Sequence, residues 1–203
     1  MSETNTIKAR DVKQLRDMTG VGMMDCKRAL RETEGDLEKA VDFLRAKGAA
    51  KVAKRAEKAA NEGAIGSYVH FDGKTAVIIE VNCETDFVAN TDDFKNLAKD
   101  LAMHVASTAP ISVSAEGIDE AVVERERAVY LEQVKDEGKP DHIAEKIVEG
   151  KLQKFFKESA LLAQPFVKDP DKTIEELITE VSSKTGEKIE VARFARFKVG
   201  EVS

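Results

Sequence analysis

The sequence predicts an α+β fold: a small N-terminal three-helix bundle, joined by a helical linker to a core with a small, mostly antiparallel three-stranded sheet and packed helices. Three observations carry this expectation. Before residue 48, apolar residues recur at helical spacing in three short runs. Two β-branched runs then flank Asp72-Gly73, a strong two-residue hairpin signal. Near the end, residues 189–199 alternate well enough to add a third strand to a hairpin that would be marginal alone. The chain accordingly divides into a three-helix module at 1–48, an Ala/Lys-rich linker at 49–62 and an α+β core domain at 63–203.

In the first module, Val12, Leu15 and Met18 form the apolar stripe of a short helix that stops at Gly20-Val21-Gly22. Met23, Cys26, Leu30 and Thr33 share one face of a second helix, ended by Gly35. Asp36 caps a third, in which Leu37, Val41 and Leu44 line up and Gly48 closes the helix. Neighbours on a helix lie about 100° apart around its axis, so Met23 and Met24 cannot both face inward. One of them is a candidate for a soft contact surface. The linker carries Lys51, Lys54, Arg55 and Lys58 with no aromatic to stack on bases, so direct nucleic-acid binding is not expected there.

Strands are expected at 64–71 and 74–82, followed by a polar stretch at 82–90 with Phe87 in its middle. A helix over 91–107, capped by Asn90 or Thr91, places Phe94, Leu97, Leu101 and Val105 on one face. Strand-to-helix connections lie on the surface, so Phe87 and Val88 either fold back onto the core or face a partner. A charge-rich helical hairpin comes next, with Ile118, Val122, Val129 and Val134 on one arm and Ile143, Ile147, Leu152 and Phe155 on the other. Pro165 and Pro170 should keep 159–171 irregular. Thr173 caps a last helix carrying Ile174, Leu177 and Val181, closed by Gly186, and the strand at 189–199 takes its place beside the hairpin.

Composition narrows the function. The 203 residues carry a formal charge of −6, which argues against a protein that mainly coats nucleic acid. Cys26 and Cys83 stand far apart, without metal-site spacing or a disulfide framework. No apolar run is long enough to span a bilayer. Residues 1–7 lack the features of a targeting signal, so a cytoplasmic location is expected. His70, His104 and His142 fit no ligand pattern, and the chain lacks both a phosphate-binding Gly-x-x-x-x-Gly-Lys-Ser/Thr and a Gly-x-Ser-x-Gly elbow. Covalent chemistry would rest on Cys83 alone, and Glu84 and Asp86 disfavour its thiolate. The expectation is a binding or regulatory protein, not an enzyme, with no metal or cofactor.

Two segments carry a resemblance: Leu15-Arg16-Asp17-Met18-Thr19-Gly20-Val21-Gly22-Met23-Met24-Asp25-Cys26-Lys27-Arg28-Ala29-Leu30 and Glu80-Val-Asn-Cys-Glu-Thr-Asp-Phe-Val-Ala89. Together they resemble the signature segments of translation elongation factor Ts. Gly138-Lys-Pro140, Val148-Glu-Gly150, Gln164-Pro-Phe-Val167 and Arg196-Phe-Lys-Val-Gly-Glu201 extend the resemblance over nearly the whole chain. It implies a guanine nucleotide exchange factor for the GTPase elongation factor Tu. It further implies an N-terminal bundle similar to the ubiquitin-associated fold, touching the GTPase through Arg16, Met23, Met24 and Lys27. Thr85, Asp86, Phe87 and Val88 would form the turn that wedges its phenylalanine between GTPase helices and disturbs the magnesium and phosphate site. His104 would contact another part of the GTPase. Longer members of the family carry a second core unit, so a chain of this length is expected to act as a homodimer, with an exposed sheet edge as the seam.

Two other readings stay open on the residues alone. One is an adaptor binding a ubiquitin-like or nascent-chain partner through the N-terminal bundle. The other is a ribosome or RNA binder acting through the basic linker, with binding that collapses as salt is added.

Overall fold

A computed structural model of the chain describes residues 7–138 and 140–201. The first six residues of the N-terminal module, Lys139 of the Gly-Lys-Pro motif and the last two residues lie outside the described residues. In chain order the elements are α1 (Ala9–Thr19), α2 (Met23–Glu32), α3 (Leu37–Lys54), β1 (Glu62–Val69), β2 (Thr75–Cys83), α4 (Asp86–Ala89), α5 (Asp92–Thr108), α6 (Glu120–Asp136), α7 (Asp141–Ser159), β3 (Pro165–Phe166), β4 (Asp169–Thr173), α8 (Ile174–Thr185) and β5 (Ile189–Lys198). The fold is α+β, with a three-stranded antiparallel sheet ordered β1-β2-β5 and a separate two-stranded ribbon. The chain falls into two compact units. One takes in Met1–Gly63, Asn82–Lys95 and Ile178–Glu190, the other Ala64–Val81, Asn96–Leu177 and Val191–Ser203.

In the first unit, Val12, Leu15, Cys26, Ala29, Leu30, Ala40 and Leu44 form a small core between α1, α2 and α3. Asp36 caps α3 by accepting the Lys39 backbone N–H at 3.1 Å. Asp25 ties α2 to α3 through Lys47 at 3.2 Å and Lys51 at 3.3 Å. Partial burial of Asp25 works against its charge, yet the two ammonium groups hold the carboxyl below its ordinary range. Met18, expected on the buried stripe of α1, is exposed instead. Met18 lies in the last turn of α1, beyond Leu15, the last residue of that helix in the core.

Gly48 also departs from expectation, because α3 runs through it to Lys54. Its role is close approach. A Cβ at this position would sit 2.7 Å from Ser183 Oγ on α8, so the missing side chain lets α8 pack against α3.

In the second unit, β1 and β2 are joined through residues 70–74, a wider loop than the expected two-residue turn: the Gly73 N–H donates to the His70 carbonyl at 2.8 Å, Gly73 takes φ +68° and the Asp72 carboxylate accepts the Lys74 N–H at 2.9 Å. Val77, Ile79 and Val81 are buried, while Ile78 faces out. Leu97, Leu101 and Val105 of α5 are buried as their spacing requires. The charge-rich pair α6 and α7 packs around Val134, Ala144, Val148 and Leu152, and Val129 and Ile143 face outward because a two-helix contact buries only a narrow stripe.

The stretch 159–171, expected to be irregular, supplies most of the ribbon β3–β4, with Pro165 opposite Thr173 and Phe166 opposite Asp169. A two-stranded ribbon leaves one side of each strand without a ladder, so it tolerates proline. The expected cap of the last helix is a reciprocal box: Thr173 Oγ1 accepts the Glu176 N–H at 3.2 Å, and Glu176 Oε2 accepts the Thr173 N–H at 2.8 Å.

Candidate functional site

The stretch expected as a polar turn is a single helical turn, α4, set between β2 and α5. Thr85 is its N-cap, with a backbone in the extended region and its hydroxyl accepting the Val88 N–H at 3.4 Å. Asp86 occupies the first position of the turn, its carbonyl accepting the Asn90 side-chain amide at 2.9 Å. Thr91 then caps α5, its hydroxyl accepting the Phe94 N–H at 3.3 Å.

One turn of helix points its side chains in different directions, and this divides Phe87 from Val88. Val88 is 9% exposed and packs inward, whereas Phe87 is 82% exposed. An aromatic ring in water on a backbone capped at both ends is an unsatisfied apolar surface held in place.

The base of the turn is fastened by contacts from distant parts of the chain. The Glu187 carboxylate accepts the Glu84 N–H at 3.2 Å, the Thr85 N–H at 3.0 Å and the Thr85 hydroxyl at 2.6 Å. Arg55 grips both oxygens of Glu84, at 2.7 and 2.6 Å, and the Lys188 N–H donates to the same carboxylate at 2.7 Å. The Arg55 bonds and the Lys188 N–H pull the Glu84 carboxyl down to about 2. Nothing local could have revealed these partners. Glu187 stands 102 residues from Thr85 and reads in sequence as one more surface charge.

Cys83 donates its thiol hydrogen to the Thr85 carbonyl at 3.1 Å. Burial first, and then the Glu187 carboxylate, push this thiol above its ordinary range, so the proton stays on sulfur and serves the turn as a donor. Among the described residues no cluster of His, Cys, Asp and Glu could hold a metal ion. No described helix is long and apolar enough to cross a membrane.

The N-terminal candidates belong to the same compact unit as the turn. Arg16 and Lys27 are exposed. Met23 is 52% and Met24 73% exposed, so both methionines face outward, where the sequence reading turned one of them inward. The reason is position: Met23 and Met24 open α2, and the buried face of that helix begins at Cys26.

His104 belongs to the second unit and is fully buried. Its Nδ1 accepts the Val167 N–H at 3.4 Å, which leaves the proton on Nε2 to donate to Gln164 Oε1 at 2.9 Å. Gln164 passes the network on by donating to the Glu158 carbonyl at 2.6 Å. Burial lowers the His104 pKa despite the bond to Gln164, so the ring is a neutral interior group. In this conformation it offers no surface to a partner, contrary to the expectation of a direct contact.

Comparison with known proteins agrees with the motifs. The family model described as Elongation factor TS matches residues 13–201. An elongation factor Ts of Syntrophobacter fumaroxidans is 57% identical over 197 residues, covering 97% of this chain and 98% of the relative. One from Thermosipho melanesiensis is 52% identical, covering 96% of this chain and all of the relative. A third, from Moorella thermoacetica, is 53% identical, covering 96% of each. The capped turn with its outward phenylalanine thus stands in a chain that, by its matches along almost its whole length, belongs to the elongation factor Ts family of translation elongation factors.

Proposed function

We propose that the chain is a guanine nucleotide exchange factor for the GTPase elongation factor Tu, acting by binding alone, without covalent chemistry or a cofactor. The observation that carries this reading is Phe87, exposed at 82% on a turn whose backbone is fixed from both ends. A rigid, exposed aromatic is the kind of residue that dominates interface energetics once a partner encloses it. In this reading Phe87 enters between helices of the nucleotide domain and stabilises a GTPase conformation that holds magnesium and the phosphates poorly. Linkage then requires that GDP weaken the factor's binding as much as the factor weakens GDP binding. Asp86 and Thr85 present the ring, and Val88 anchors the turn to the interior.

Residues 1–48 serve as a docking module in which Met23, Met24, Arg16 and Lys27 meet the nucleotide domain, 49–62 connects, and 63–203 is the core. Met23 and Met24 support this role because both are exposed and conformationally adaptable. His104 is left with a structural part in this reading, as an interior residue bonded to Gln164 and Val167. The working location is the cytoplasm, where the GTPase functions. The chain acts as a homodimer, and the exposed apolar residues Ile65, Val69 and Ile78 favour the open face of the sheet over its edge as the seam. Sedimentation equilibrium of Ile78→Lys tests that seam: it should give monomer where the parent gives dimer.

The decisive experiment is release of a fluorescent GDP analogue from elongation factor Tu. The parent chain should accelerate release, and a folded Phe87→Ala variant should be about a hundredfold less effective. A variant as fast as the parent would leave exchange standing and remove the wedge. No acceleration by a folded, dimeric parent would remove the exchange function itself.

A further inference from the structure

We infer that Glu187 is a positioning residue for Phe87, holding the turn in its outward, exchange-competent orientation from the α8–β5 connection. This rests on the exchange-factor reading above. The turn needs such a hold, because a single helical turn has too few internal hydrogen bonds to keep its shape alone. Phe87 buries little of itself and so contributes nothing to fixing its own direction.

Glu187 supplies the missing constraint through three donors. Its Oε2 takes the two backbone N–H groups of Glu84 and Thr85, and its Oε1 takes the Thr85 hydroxyl. The third of these matters most for direction. A threonine hydroxyl has one proton, and giving it to Glu187 turns an oxygen lone pair toward the Val88 N–H, which is the cap that starts α4. Glu187 therefore sets the rotor that sets the cap.

Glu187 is itself held. Its backbone carbonyl accepts the Ser182 hydroxyl, and the next N–H, that of Lys188, donates to Glu84. Residues 84–85 and 187–188 thus lock one another in both directions, with Arg55 closing the arrangement on Glu84. Charge at Glu187 strengthens all three bonds, since an ionised acceptor holds N–H and O–H donors more tightly than a neutral one.

Without the carboxylate, two N–H groups and a hydroxyl lose their acceptor, and the turn spreads over several orientations of which one presents Phe87 correctly. The effective activity then falls by the competent fraction. The N-terminal module still docks, so the loss should appear in the release rate at saturating factor more than in the concentration needed to saturate.

The test uses the full chain, elongation factor Tu loaded with a fluorescent GDP analogue, and Glu187→Ala, Glu187→Gln, Phe87→Ala and the Glu187→Ala/Phe87→Ala double variant. Glu187→Ala should lower the saturated release rate about tenfold with a shift in half-saturation of about twofold or less. Glu187→Gln keeps one oxygen for the Thr85 hydroxyl and should recover part of the rate. On the Phe87→Ala background, removing Glu187 should change nothing further. A residue that merely stabilises the fold would instead lower the rate by the same factor in both backgrounds, and that result would overturn the proposal.

Amide hydrogen exchange of the free chain is read alongside. Glu187→Ala should speed exchange at Glu84, Thr85 and Val88 while Leu30 and Leu44 in the helical core stay protected. Parental protection at the three turn amides would overturn the proposal whatever the release assay gives. If the parent chain does not accelerate release, the exchange-factor reading falls, and the amide comparison alone decides whether Glu187 fixes the turn.

Discussion

Phe87 holds an apolar ring in water on a backbone fixed by polar groups, whereas His104 holds a polar ring in the interior with its hydrogen bonds fixed by neighbouring polar groups. The two regions invert the usual distribution, and each inversion has its own logic. An exposed aromatic gains nothing for folding, so the polar contacts beneath it, from Glu187, Thr85 and Arg55, serve to aim it. A buried histidine risks the full desolvation penalty of any unpaired nitrogen, and both nitrogens are paired. Substituting Phe87 should therefore disturb what the molecule does to a partner, and substituting His104 should disturb the molecule itself.

The largest effect expected from this contrast is at Phe87. Phe87→Ala should slow nucleotide release about a hundredfold, equivalent to about 2.7 kcal/mol. Its stability in urea should stay within about 0.5 kcal/mol of the parent, as for an exposed site. A comparable loss of stability would mean that the ring packs on its own chain. The converse is His104→Ala, which removes a buried ring and leaves the Val167 N–H without its acceptor. It should lose about 2 kcal/mol in urea unfolding while release per folded molecule is unchanged. A release defect in a folded His104 variant would join the two regions functionally.

Val88 sharpens the contrast within the turn. Val88→Ala should lower stability by about 1 kcal/mol, because it empties part of a buried contact, with a smaller effect on release than Phe87→Ala. Acid titration gives the smallest effect and separates the regions by pH. His104 is kept neutral by burial, so below the ordinary histidine value of 6.5 only the unfolded chain takes up its proton, and stability should begin to fall there. Glu84, pulled from 4.5 down to about 2, contributes fully above 4.5 and loses its contribution as pH falls through about 2. Glu84 is reached by solvent, which mutes its share. Stability measured against pH should lose its first step in His104→Gln and its later one in Glu84→Gln.

Much of the fold was legible in the chain itself because it depends on neighbours a few positions apart. The Asp36 cap, the Thr173 cap and the spacing of Phe94, Leu97, Leu101 and Val105 are local statements, and the structure bears them out, as it does the hairpin around Asp72-Gly73, whose loop is wider than two residues. The motif around Phe87 was equally readable, as were the exposed Arg16 and Lys27. Only the tertiary structure decided which side of the turn faces water, because Phe87 and Val88 are adjacent apolar residues whose difference comes from what packs beneath them. It likewise decided that Gly48 is a point of approach for α8 and not the end of α3, that His104 is interior, and that Glu187 reaches back to Thr85. Each of these depends on elements brought together from distant parts of the chain, and local spacing carries no information about that meeting. A surface carboxylate and a carboxylate that anchors a turn have the same letter and the same neighbours in sequence, and differ only in which donors the fold brings to them.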